Sequence, residues 1–355
     1  MSLEPRTSTS GHSRSANRRV LVAGAGGASL GTETLKALAL TGRYEVVVAD
    51  VSPMAYGLYQ PEAAAGHVLK AQNYINDLIA CCQREGVQLL LPGAEATLKL
   101  INGSRQRLID AGITPVLNKL EVIQACSDKS ITFDVLKRLG IPVPQTRVLI
   151  RLEDLDDFPM PCIIKPATET GGSALVSAAS TRAEALMYVQ WIWAAGLKAI
   201  AQEYLPHAEG EFTVGVLRFG SWMGSIAMKR EFPCKLSYLL KSEQFLISSG
   251  YSQGLIDGFP EVCAEAERIA TALDSDGPLN IQGRFVNGTF YPFEINPRFS
   301  ATTYLRAMAG FPEIEIFLNH LAGETPPPKP QIRPGYYLRS LAEMYVPMDR
   351  IKGPK

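Results

Sequence analysis

Residues 282–298 read QGRFVNGTFYPFEINPR and bring the Glu294 carboxylate, the Gln282 and Asn296 carboxamides and the Arg298 guanidinium into one short stretch. Two apolar runs flank Asn287-Gly288, a pair that favours the positive-φ turn of a tight hairpin. A strand alternates its faces with period two, so Glu294 and Asn296 share one face. The turn brings Gln282 back beside them, and Arg298 follows directly. Three hard oxygen donors and a cation on one patch suit Mg²⁺, which completes its octahedron with water and substrate phosphates. The chemistry implied is that of a nucleotide site. A surface hairpin with polar residues turned outward is the competing reading, and the rest of the chain has to decide.

The elements that must position such a patch begin at residue 20. VLVAGAGG reads as a buried strand entering a Gly-rich turn, ETLKALALTG as a helix closed by Gly42, and YEVVVAD as a second strand ending in Asp50. This β-α-β unit can hold an anion at its helix N-terminus. Gly24, Gly26 and Gly27 match the start of a dinucleotide fingerprint, but Ser29 stands where the third glycine belongs, so the motif is weak. Further helices and strands alternate to about Asn118 and predict a parallel, doubly wound sheet. Its loop after Pro92-Gly93 carries Glu95, either a substrate contact or a helix-start residue.

SDKSITFDVLKRLGIPVP is an amphipathic helix begun by Ser127 or Asp128 and stopped by Gly140 and prolines. Lys129 sits in its first turn, which the helix dipole disfavours for a cation unless an anion meets it there. PCIIKPA places Lys165 in an apolar strand, where its ammonium must reach an anion or water. Gly171 and Gly172 follow six residues later and allow close backbone approach to a phosphate. Glu203 and Glu211 flank the loop of a strand–loop–strand segment. They read as exposed hairpin carboxylates, or as groups set at an adenine and a ribose. Residues 228–258 mix Lys, aromatics and Gly, as a cover or substrate loop does.

Composition narrows the classes. The chain has 355 residues, is 46% hydrophobic and 20% charged, and carries zero formal charge from 35 basic and 35 acidic residues. Nothing global points to nucleic acid or an anionic membrane. Six cysteines show no zinc or disulfide spacing and suit a reducing cytosol, and no apolar run approaches the ~20 residues that cross a bilayer. Residues 1–19, rich in Ser, Thr and Arg, read as a disordered tail. The four histidines form no constellation, and no Ser-His-Asp or Cys-His set is present.

In order along the chain, DKSITFDVLKRLGIPVP, PCIIKPATETGG, QEYLPHAEGEFTV and QGRF…FEINPR resemble an ATP-grasp enzyme, closest to one ATP-binding half of the carbamoyl-phosphate synthetase large subunit, over residues 20–325. The resemblance implies an α/β and α+β architecture: a Rossmann-like pre-ATP-grasp domain over 20–118, then an ATP-grasp domain over 119–325. The latter would comprise a small lid subdomain at about 145–205 and a larger subdomain at about 206–325. Residues 326–355, beyond the resemblance, read from their own sequence as a proline-rich connector and a final strand, YYLRSLAEMYVP. Lys129 and Lys165 would contact the ATP phosphates, with the Gly171–Gly172 loop closing over them. Glu203 and Leu205 would supply backbone contacts to adenine, and Glu211 would bind ribose. Gln282, Glu294 and Asn296 would hold Mg²⁺ ions, with Mn²⁺ as an alternative occupant, and Arg298 would stabilise the transferring phosphoryl group. Many members carry a carboxylate where Gln282 stands, so one metal is expected to bind more weakly.

The function implied is an ATP-dependent, ADP-forming carboxylate–amine ligase working through an acyl phosphate, on an amino acid or small biosynthetic carboxylate. Its partners would be that carboxylate and an amine, in the cytoplasm. A homodimer is only a fold-level analogy. Two alternatives stay open: an NAD(P)-dependent oxidoreductase or sugar-nucleotide enzyme using the GAGGASLG turn, and a non-catalytic ATP-binding protein.

Overall fold

The computed structural model describes residues 18–168 and 174–353. Its first unit runs β1 (Arg18–Ala23), α1 (Leu30–Thr41), β2 (Tyr44–Asp50), β3 (Ala63–Val68), α2 (Tyr74–Glu85), β4 (Leu89–Pro92), α3 (Glu95–Gly103), α4 (Arg105–Asp110) and β5 (Thr114–Pro115). The five strands are parallel, in the order β3-β2-β1-β4-β5. Val20 to Ala23 and Val46 to Ala49 are buried, as a parallel sheet covered on both faces requires. The expected tail ends earlier than residue 19, because Arg18 and Arg19 already pair with Tyr44 and Glu45 and the Arg19 guanidinium binds Glu45 at 2.9 Å. Residues 1–17 lie outside the described residues.

Two helices, α5 (Leu120–Ala125) and α6 (Lys129–Arg138), lead to β6 (Thr146–Leu149), β7 (Cys162–Pro166), β8 (Ser177–Ala179), α7 (Arg182–Ala194) and β9 (Ala199–Glu203). These strands form an antiparallel sheet ordered β6-β9-β7-β8. Val189 and Ile192 of α7 pack on Ile164 and Ala199 beneath it. The chain continues through β10 (Glu211–Phe219), β11 (Trp222–Arg230), β12 (Tyr238–Lys241), β13 (Leu246–Ser248), β14 (Gly254–Ile256), α8 (Pro260–Ala272), β15 (Gly277–Val286), β16 (Thr289–Asn296), α9 (Thr303–Met308), α10 (Glu313–Leu321) and β17 (Gly335–Tyr337). A second antiparallel sheet has the order β16-β15-β10-β11-β14-β17, while β12 and β13 pair as a separate hairpin. The long final strand expected after the prolines is only Gly335–Tyr337, because its edge neighbour β14 offers just three partners. One apolar core joins the first sheet to the C-terminal helices, with Leu35 and Leu38 of α1 in the same cluster as Leu305, Ile314 and Phe317. No helix among the described residues is long and apolar enough to cross a membrane.

The Gly-rich turn after β1 is built by close backbone approach. The Gly31 N–H donates to the Gly93 carbonyl at 2.9 Å, tying the start of α1 to the end of β4. A Cβ on either Gly31 or Gly93 would overlap the Gly24 carbonyl oxygen. The close-packing glycine is therefore Gly31, two residues beyond Ser29, and Ser29 is instead the residue that caps α1. Gly93→Ala is expected to destabilise the fold by about 1–3 kcal/mol, the usual cost of overpacking. Gly26→Ala, which meets nothing within 4 Å, should be close to neutral; thermal midpoints of the two variants decide.

Candidate active site

The hairpin of β15 and β16 forms as its sequence dictates. Asn287 and Gly288 take φ of 52° and 72°, the positive pair of a tight two-residue turn. Gln282 lies opposite Glu294 and Asn280 opposite Asn296, and the Gln282 amide donates to Glu294 Oε2 at 2.9 Å. The register then shifts, with Gly283 opposite Pro292, so Phe293 bulges out of the ladder. Its freed carbonyl accepts from Lys165 Nζ at 3.2 Å across the gap between the two antiparallel sheets.

That gap is a cavity of about 430 Å³. Lys129 and Lys165 line one wall, and Gln282, Glu294, Asn296 and Arg298 line the facing one. Glu203 and Leu205 close the end where β9 leaves its sheet, and the first unit adds Ser29 and Glu95. Gly171 and Gly172 lie outside the described residues. Lys165 is buried and donates to Gln202 Oε1 at 2.7 Å, with the ring of Phe133 beneath its ammonium. Lys129 is placed by the cap of α6: Asp128 accepts from the Ser130 N–H at 2.8 Å, and the Lys129 N–H donates to the carbonyl of Ala167, the residue just past the strand that carries Lys165. The two lysines are thus coupled through backbone.

Arg298 reaches back to the first unit. Its Nε donates to Glu95 Oε2 at 3.0 Å, Nη1 to the Phe299 carbonyl at 3.0 Å and Nη2 to Asn296 Oδ1 at 3.4 Å. Three of its five N–H bonds fix its plane, which leaves two to meet a ligand. Glu95 is therefore more than a helix-start residue, since from the start of α3 it holds Arg298 at the cavity wall.

Glu211 departs from its expected role. It is buried, its Oε1 accepts from Arg230 at 2.9 Å and its Oε2 from Arg284 at 2.8 Å. Burial alone would raise its pKa, but Arg230, Arg284 and Ser248 outweigh that and hold the carboxyl below the usual carboxylate range. The predicted ribose contact and the exposed hairpin carboxylate both give way to a guanidinium clamp. Arg284 also donates to the carbonyls of Leu205 and Leu246, each at 2.6 Å, and Arg230 to that of Ser249 at 2.7 Å. Residues 246–252 of the 228–258 loop are consequently pinned to the sheet at the cavity wall.

Gln282 is a second correction. Its Oε1 accepts from Arg230 Nη1 at 3.3 Å, so the oxygen expected to bind metal faces a cation. Asn280, Arg230, Arg284 and Arg306 escaped the sequence reading. The period of two that puts Glu294 and Asn296 on one face of β16 puts 280, 282 and 284 together along one face of β15, and the Gln282–Glu294 pairing makes it the same face of the sheet, so Asn280 and Arg284 carried a signal. Buried Arg306 donates at 2.7 Å to Asn280 Oδ1, which Thr213 also reaches at 3.0 Å, leaving the Asn280 amide nitrogen for the cavity. Among the described residues no group of three His, Cys, Asp or Glu side chains could hold a metal. The metal-binding chemistry available is one carboxylate, Glu294, beside the amide oxygen of Asn296, a hard donor pair of the kind Mg²⁺ accepts when water and phosphate complete its shell.

The dinucleotide turn is occupied by its own chain. Asp50 accepts from the Ala25 and Ser52 N–H groups at 2.8 and 2.9 Å, so its carboxylate closes the turn instead of standing free for a ribose.

A mixed α/β chain with a parallel N-terminal sheet and two antiparallel sheets around one cavity is the ATP-grasp fold, and this chain has it. Residues 20–116 match the family model described as the PylC-like N-terminal domain. The large chain of carbamoyl phosphate synthase from Methanocorpusculum labreanum is 25% identical over 207 residues, 57% of this chain and 19% of that protein. The match thus spans about a fifth of that relative's length. Among solved structures, the L-amino acid ligase of Bacillus licheniformis superposes with a TM-score of 0.64 at 14% identity, covering 90% of this chain and 78% of that one. The biotin carboxylase domain of Hydrogenobacter thermophilus 2-oxoglutarate carboxylase, solved with MgADP, ADP and bicarbonate, gives 0.66 at 15% identity, covering 86% and 70%.

Proposed function

We propose that this chain is an ATP-dependent, ADP-forming ligase that joins a carboxylate to an amine through an acyl phosphate. The observation that carries the reading is the convergence of Lys129, Lys165, Glu294, Asn296 and Arg298 on one cavity between two antiparallel sheets. In this reading residues 20–118 form the pre-ATP-grasp domain and 119–325 the ATP-grasp domain, with the small sheet as its lid. The backbone of Glu203 and Leu205 faces adenine. Glu294 and Asn296 hold a divalent cation, Mg²⁺ or Mn²⁺, which supplies charge neutralisation at the phosphates.

The chain's own residues do the rest. Lys129 and Lys165 bind phosphate oxygens, and the two remaining N–H bonds of Arg298 meet the γ-phosphoryl group as it transfers to the substrate carboxylate. The amine then attacks the acyl carbon, the amide C–N bond forms, and phosphate leaves carrying the former carboxylate oxygen. No side-chain nucleophile is needed, because positioning and charge neutralisation supply the catalysis. An amino acid or a small biosynthetic carboxylate fits a wall that offers a guanidinium and a carboxylate side by side, Arg298 and Glu95. The L-amino acid ligase among the fold relatives supports that choice. A cytoplasmic setting suits the six free cysteines.

The test is an ADP- and phosphate-release screen over pairs of carboxylates and amines, with mass spectrometry of the product. Release that requires both partners is expected; nucleotide binding without turnover across the panel contradicts catalysis. In the same assay Lys165→Ala should raise KM for ATP about 10–100-fold, the ~1.5–3 kcal/mol of a charge-assisted hydrogen bond. An unchanged KM would remove Lys165 from the phosphate site.

A further inference from the structure

We propose that the Arg230 guanidinium stands in for a second divalent cation, so that this chain binds its nucleotide with one metal ion, held by Glu294 and Asn296. The inference rests on the Mg-ATP reading of the cavity and departs from the plural ions that the family resemblance implies.

The first argument is the orientation of Gln282. Its amide nitrogen lies 2.9 Å from Glu294 Oε2 and its amide oxygen 3.3 Å from Arg230 Nη1. Turning the amide over would set an oxygen against a carboxylate and an NH₂ against a guanidinium, two repulsive contacts in place of two hydrogen bonds. Both neighbours thus hold the Gln282 oxygen toward Arg230 and away from a metal. The amide that replaces a carboxylate here is a bridge between Arg230 and Glu294.

The second argument is charge. Arg230 and Arg284 both bind Glu211, which carries one negative charge for two positive ones. The surplus positive charge lies beside Gln282, whose amide bridges Arg230 and Glu294. Arg230 is itself buried, and its remaining bond, to the Ser249 carbonyl, locks it in place. A dication at that position would face a fixed guanidinium, and among the described residues the carboxylates beside it, Glu211 and Glu294, are already engaged by Arg230 and Gln282. Arg230 already supplies a positive charge beside Gln282 and Glu294, and Gln282, being neutral, does not compete with Glu294 for it.

The test counts metal directly. Full-length protein is saturated with a non-hydrolysable ATP analogue and titrated with Mn²⁺, and bound Mn²⁺ is read by electron paramagnetic resonance. One tightly bound ion per chain is expected, without the spin–spin broadening of a close metal pair. The double variant Arg230→Met, Gln282→Glu removes the guanidinium and restores a carboxylate, and its count should rise to two. Two tightly bound ions in the wild-type chain would overturn the inference whether or not the double variant folds. Analogue binding is measured by calorimetry in the same samples. Absence of analogue binding overturns the nucleotide reading and this inference together, whereas bound analogue with two ions overturns this inference alone.

Discussion

Glu294→Ala should lower kcat about 10³-fold, roughly 4 kcal/mol of transition-state stabilisation, while leaving the fold intact. Glu294 supplies the one carboxylate among the β15 and β16 positions that line the cavity, with Asn280, Gln282 and Asn296 contributing only amides. Its loss leaves, among the described residues, no anionic oxygen on β15 or β16 for a divalent cation. Asn296 alone is a neutral ligand, already engaged at 3.4 Å by Arg298. Half-buried at the cavity wall, Glu294 contributes little core packing, so the thermal midpoint should move far less than the rate. Glu294→Asp keeps the charge but retracts it by one methylene and should recover part of the activity. A Glu294→Ala protein with full turnover would remove the metal assignment.

Glu211 carries the largest expected effect on stability. Glu211→Gln leaves Arg230 and Arg284 buried with a neutral partner that has one acceptor oxygen for two guanidiniums, and breaking a buried pair in this way costs about 3–5 kcal/mol. The loss spreads, because the same arginines hold the carbonyls of Leu205, Leu246 and Ser249. The variant should therefore show both a lowered thermal midpoint and a raised KM for ATP. The pH dependence has a definite sign. The Glu211 carboxyl is held below its ordinary 4.5, so on acidification the unfolded chain takes the proton before the folded one. The stabilisation is complete above about 4.5 and is lost as pH falls through the folded value. The stability gap between wild type and Glu211→Gln should be widest at neutral pH and narrow progressively in acid. A constant gap would mean that the carboxylate charge is not what the clamp uses.

The features legible in the sequence are those that local periodicity encodes. The Asn287-Gly288 turn, the shared face of Glu294 and Asn296, the parallel unit after residue 20 and Lys165 on a strand all follow from spacing. The structure adds pairings that spacing does not carry. Glu211 meets Arg284 across 73 positions and Arg298 meets Glu95 across 203. Whether a strand carboxylate faces solvent, a ribose or two arginines depends on which strands become its neighbours. That is why Glu211 read as a ligand contact and Gln282 as a metal ligand until Arg230 was placed between them. Gly31 was hidden because it lies off the fingerprint spacing: its missing Cβ makes room for the Gly24 carbonyl oxygen seven residues back, where the fingerprint places its third glycine five residues after Gly24. The end of β17 likewise depends on the short length of β14 and not on its own apolar content.

The central claim is that ATP activates a carboxylate as an acyl phosphate. Its most direct test uses the carboxylate that supports ADP release, labelled with ¹⁸O in both carboxyl oxygens, with the phosphate product read by mass spectrometry. Transfer of one ¹⁸O into inorganic phosphate, alongside ADP and the amide, is the predicted result. Label recovered in AMP, or phosphate free of label, would contradict the account.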